Sequence, residues 1–142
     1  MHKAETILNA IKTALTGLAT TGDRVERDRV YPPEQCPALS VNQGGEDPIA
    51  GRENMQFQDV ALEVEIIIQV KSGTKSSDLN QIKAEVYAAL MADTTQGLAY
   101  VHETQWAGDS APEPSGDAEI NTTRCIMRFL VAYRHSYTSK ES

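Results

Sequence analysis

The chain has 142 residues, enough for one domain that can bury a core without disulfides or a structural metal. Its 40% hydrophobic and 23% charged residues are a globular composition, and a net charge of −7 argues against sequence-specific binding to phosphate backbones. No apolar run approaches the roughly 20 residues that span a bilayer, and the N-terminal stretch MHKAETILNAIK carries neither an uninterrupted apolar segment nor a cleavage site, so a cytoplasmic protein without a secretory signal is expected.

Residues 4–20 read as an amphipathic helix. Ile7, Ile11, Leu15 and Leu18 recur at intervals of three and four, and Thr20-Thr21-Gly22 ends the pattern. The charged run DRVERDRVY (23–31) suits a short edge strand, where charge guards against wrong pairing, and Pro32-Pro33 closes it. Pro37 to Val41 reads as a short strand that begins at proline. Residues 42–56, NQGGEDPIAGRENMQ, read as a long polar loop, with a mobile part near 43–56 and Arg52 as its only base.

Phe57 to Lys71 is the strongest signal. Val60, Leu62, Val64, Ile66, Ile68 and Val70 occupy every second position, with Ala61, Glu63, Glu65, Ile67 and Gln69 between them. Period-two alternation of this length predicts a long strand with one face in a core. Ser76 or Ser77 caps a second helix that ends near Asp93, with Leu79, Ile82, Val86 and Leu90 as its stripe. Ala99 to Trp106 reads as a strand with Tyr100, His102, Thr104 and Trp106 on one face and Val101 and Glu103 on the other; Trp106 is either a core anchor, the favoured reading, or an interface anchor. GDSAPEPSGD reads as a mobile acidic turn within 108–118, and a final strand runs from Ile120 to about Tyr137, ahead of a flexible tail over 136–142. The expected fold is one α+β domain over 1–142, a mostly antiparallel sheet of four to five strands with both helices packed on one face.

The chemistry-bearing residues are sparse. His2, His102 and His135 are scattered, and no HExxH, CxxC, DxDxDG or GxSxG spacing occurs. No catalytic residue, metal or cofactor is expected. Cys36 and Cys125 read as reduced structural thiols, Cys125 on the buried face of its strand. Charge is uneven: residues 103–119 hold five acids and no base, and residues 124–140 hold Arg124, Arg128, Arg134 and Lys140 and no acid. Either the arginines pair with Glu63 and Glu65 inside one subunit, or one subunit's acidic region meets the next subunit's basic strand.

The order of segments resembles a family of virion proteins. The resembling features are the helix ending at Gly22, the charged run from Arg24-Val25 to Arg29-Val30-Tyr31-Pro32, and the strand Pro37-Ala38-Leu39-Ser40-Val41. The glycine-rich loop, long alternating strand, second helix and final Val131-Ala132-Tyr133-Arg134 complete the pattern. Together they are similar to tailed-phage tail terminator proteins, also called tail completion or minor tail protein U-like proteins. The resemblance implies a phage or prophage structural protein, not an enzyme, assembled in the host cytoplasm and resident in the virion tail. It implies a homo-hexameric ring that caps the tail tube protein, ends tube polymerisation and offers a surface to the head-neck connector protein. Six copies at −7 sum to a charge on the order of −40, past which DNA moves without specific binding. The polar faces of the two long strands, together with the glycine-rich loop, make Arg52, Glu63, Glu65, Arg124 and Arg128 the candidate subunit interface. Two alternatives stand beside this reading: a head-closure protein of the neck, and a small cytoplasmic ligand-binding module or enzyme with a ferredoxin-like sheet.

Overall fold

The computed structural model describes residues 2–28, 36–50, 56–115 and 122–136. Arg52, the segment 29–35 and the tail beyond Ser136 lie outside the described residues. In chain order the elements are α1 (Lys3–Leu15), β1 (Val25–Arg27), β2 (Ala38–Pro48), β3 (Phe57–Lys71), α2 (Ser76–Met91), β4 (Val101–Asp109), β5 (Glu113–Ser115) and β6 (Thr122–Ser136). The strands form one sheet in the order β1-β2-β3-β6-β4, with β5 also on β6. β1 pairs parallel to β2 and every other pairing is antiparallel. The sheet therefore has six strands rather than four or five, and α+β is the class.

β3 and β6 pair along their full 15-residue lengths, from Phe57 opposite Ser136 to Lys71 opposite Thr122. The alternation in the sequence sets this register, because a one-residue slip would turn every aliphatic side chain of β3 to the opposite face. Val60, Leu62, Val64, Ile66, Ile68 and Val70 are all buried, with Cys125, Met127, Phe129, Val131 and Tyr133 beside them. Ile7, Ile11 and Leu15 of α1 and Leu79, Ile82 and Val86 of α2 complete the same cluster. Each fully buried aliphatic side chain contributes on the order of 1.5–3 kcal/mol. Both helices lie on this face, and among the described residues the other face of the sheet has no helix.

α1 is shorter than its apolar stripe predicts. It stops at Leu15 because Gly17 takes a φ of +88°, after which Gly17 N–H donates to Gly22 O and Gly22 N–H to Leu18 O. His2 acts as its N-cap, Nδ1 accepting from Ala4 N–H at 3.0 Å. The residue before α2 is Lys75, which makes no side-chain cap bond, so neither Ser76 nor Ser77 is the cap.

Residues 42–48, expected as part of a long loop, are strand instead. β2 continues through Asn42 to Pro48 alongside β3, with a bulge at Gly44-Gly45. These residues have no apolar pattern; the long edge of β3 supplies their hydrogen-bond partners. Likewise Gly108 and Asp109 finish β4 and Glu113–Ser115 forms β5, inside the stretch read as an acidic turn.

Candidate functional site on the open face of the sheet

Side chains that alternate with the core residues project from the uncovered face. On β3 these are Asp59, Ala61, Glu63, Glu65, Ile67 and Gln69; on β6 they are Arg124, Ile126, Arg128, Leu130, Ala132 and Arg134. The structure thus brings Glu63, Glu65, Arg124 and Arg128 to one surface. In register Arg128 stands opposite Glu65 and Arg124 opposite Gln69. The ion pair that forms is diagonal instead: Arg128 Nε lies 3.4 Å from Glu63 Oε1, both side chains about a third exposed. Gly44 is the reason Glu63 can lie where it does. A Cβ on Gly44 would stand 2.9 Å from both Cβ and Cγ of Glu63. Among the described residues Glu65 and Arg124 make no ion pair.

At one end of this face a buried carboxylate ties three strands together. Asp59 of β3 has a side chain only 3% exposed. It accepts from Arg134 Nε of β6 at 2.8 Å, and His102 Nε2 of β4 lies 3.3 Å from its second oxygen. Burial pushes the Asp59 carboxyl up, but hydrogen bonds from Arg134 and His102, with their charges, outweigh it and hold it below the ordinary carboxylate range. Arg134 is fixed further by its stacking over Phe57, 5.5 Å from the ring centroid, while its carbonyl accepts from Lys3 Nζ at 2.8 Å.

His102 and Glu103 were expected on opposite faces of a strand; a β-bulge changes that. Val101 stands opposite Tyr133 and Glu103 opposite Ala132, so His102 is the extra residue. Both His102 and Glu103 consequently line a depression of about 430 Å³ with Asp59 and Arg134. The bulge also turns Thr104 inward with Val101, where its hydroxyl donates to Thr94 O at 2.8 Å. Among the described residues no serine, threonine or cysteine lines this depression. Among the described residues no group of three His, Cys, Asp or Glu is placed to hold a metal ion, and no helix is long and apolar enough to cross a membrane.

A second depression, about 260 Å³, lies on the same face and is lined by Ile49, Ala61, Leu130, Ala132, Glu103 and Gln105. Leu130 is 37% exposed at its edge.

Trp106 is not in the core. It stands opposite Phe129 on the helix side of β4, the outermost strand, and remains 49% exposed. Its indole N–H donates to Asp109 Oδ1 at 2.8 Å, Lys83 Nζ lies 3.7 Å from the other Asp109 oxygen, and Tyr87 of α2 meets the indole edge-on at 6.5 Å.

No protein-family model and no curated protein matches the sequence. The fold is similar to that of a chain in a solved structure described as the virion of native gene transfer agent (GTA) particle. The TM-score is 0.54 at 14% identity, covering 90% of this chain and 94% of that chain. At this identity the likeness is one of fold.

Proposed function

We propose that this chain is a structural subunit of a phage-type virion, a tail terminator whose hexameric ring caps the tail tube, stops tube polymerisation and forms the surface that joins the head. The observation that carries this reading is the fold shared with a chain of a virion particle over nine-tenths of both chains. The resemblance of the segment order to tail terminators points the same way. A half-covered sheet fits a subunit made to be tiled. The helices occupy one face, while the other presents Glu65 and Arg124, which make no ion pair among the described residues, and the exposed Leu130. A ring requires two different patches on each subunit, repeated by a rotation that closes. The acidic total charge keeps DNA from adhering as it passes.

The test is negative-stain microscopy of the purified protein, alone and mixed with tail tubes or with empty capsids. Rings that cap tubes and halt their growth support the terminator reading. Rings that join only capsids would replace it with head closure. A protein that stays monomeric in every mixture would remove the virion role and leave a small ligand-binding module.

A further inference from the structure

Three features outside the Asp59 cluster remain without a role in the folded monomer: the Trp106–Tyr87 pair, the Leu130 depression and Arg124, which makes no ion pair among the described residues. We infer that they belong to one contact, in which the Trp106 edge of one copy seats on the open sheet face of the next. This rests on the ring reading and specifies its subunit interface.

The edge has the character of an anchor. Trp106 is exposed yet immobilised, its N–H held by Asp109, Asp109 held by Lys83, and its ring edge braced by Tyr87. A large aromatic that has already lost its rotamer freedom loses little more on binding, and tryptophan and tyrosine are the residues most often found to dominate interfaces. The receiving surface is a depression of about 260 Å³, with Ile49, Ala61, Leu130 and Ala132 as its apolar walls and Glu103 and Gln105 as its polar ones.

Charge selects a second copy as the occupant. No lysine or arginine occurs between Lys83 and Arg124, so the β4–β5 edge is acidic throughout. Trp106 and Glu113 stand opposite Phe129 and Arg124, five positions apart on β6, or roughly 17 Å. On the open face Leu130 and Arg124 are six positions apart, roughly 20 Å. Trp106 projects to the helix side and Glu113 to the open side, so the two flank the edge, and seating Trp106 of one copy beside Leu130 of the next places Glu113 within reach of the neighbour's Arg124. Neither residue makes an ion pair in its own subunit among the described residues, although the two stand opposite each other there.

The two patches, an edge and a face of one sheet, are different, so the contact is heterologous. Sixfold rotation needs about 120° between them. Such a contact closes a ring where its rotation fits and otherwise grows a filament.

Trp106 is the only tryptophan, so its emission reports the contact directly. In wild-type protein, assembly should shift the emission to shorter wavelength and reduce acrylamide quenching several-fold. Trp106→Ala and Leu130→Glu should each weaken self-association by about 30-fold or more. Mixed together, the two variants should form a one-to-one dimer and nothing larger, because one retains an intact face and the other an intact edge. Rings in which Trp106 stays as quenchable as in the monomer, or variants that remain inert when mixed, would overturn this contact and leave the ring standing. Wild-type protein that never assembles, alone or on tail tubes, would overturn both.

Discussion

Replacing Asp59 with asparagine tests whether its carboxylate secures the sheet end. Asparagine keeps the shape but removes the charge and turns one acceptor oxygen into a donor facing the Arg134 guanidinium or the His102 ring. The buried residue thus loses a charge-assisted hydrogen bond, worth about 1.5–3 kcal/mol. The larger penalty of an orphaned buried ion, about 3–5 kcal/mol, does not apply, because Arg134 and His102 are 43% and 38% exposed and water can rehydrate them. The expected loss is about 2 kcal/mol at pH 7, or about 6–10 °C in Tm for a domain of this size. The pH dependence gives the sharper check. Asp59 is held below the ordinary carboxylate range in the folded protein. Its stabilisation is therefore complete above the unfolded value, about 3.9, and is lost as pH falls through the folded value. Urea denaturation of wild type and Asp59→Asn should show a constant gap from pH 7 to pH 5 that narrows below about pH 4. A gap that closes between pH 7 and pH 5 would mean that burial outweighs the two partners, and the reasoning would be wrong.

Tyr133→Phe removes a hydroxyl that donates to Glu46 Oε1 at 2.6 Å from a fully buried ring, and should lower stability by about 1–2 kcal/mol in urea with an unchanged m-value. Gly44→Ala should cost about 1–3 kcal/mol instead of giving the usual small gain of such a change, because its Cβ displaces Glu63; the double variant Gly44→Ala with Glu63→Ala should recover most of the loss. Arg128→Glu breaks a half-exposed pair worth about 0.2–1 kcal/mol, so the monomer should melt nearly as wild type, while sedimentation shows assembly abolished; assembly unchanged in this variant would remove Arg128 from the subunit contact.

Much of this fold is legible in the sequence because its largest elements have strict periods. β3 spans Phe57–Lys71 as its alternation predicts, and α2 follows its stripe to within a residue or two. The elements that escape a one-dimensional reading owe their structure to a neighbour. The strand through Asn42 to Pro48 has no apolar face, and β3 organises it through backbone hydrogen bonds that no residue pattern encodes. The bulge at His102 likewise leaves no trace in composition. It alone reverses the facing of Glu103 relative to His102 and sends Thr104 to the core. The parity of β6 did place Arg124, Arg128 and Arg134 on the polar face, but which acid each meets depends on side-chain reach. Arg128 passes over its register partner to Glu63, and Arg134 finds Asp59, a residue to which the sequence alone drew no attention.

The same distinction explains where function would reside in this protein. Its core consumes nearly every periodic residue on the helix side, leaving the exposed features that periodicity does not explain: an outward tryptophan on a bulged edge strand, and on the open sheet an exposed leucine and an arginine that makes no ion pair among the described residues. In a monomer each of these would be a liability, since edges and uncovered apolar surface invite wrong association. Two bulges in β4 interrupt its ladder against generic strand addition, while the indole is locked in one pose by Asp109 and Tyr87. A chain that guards its edge against indiscriminate pairing and yet holds a large aromatic outward on it fits association with one particular surface. A rigid side chain meeting a fixed depression specifies angle as well as affinity, and a defined angle is what separates a closed ring from an aggregate.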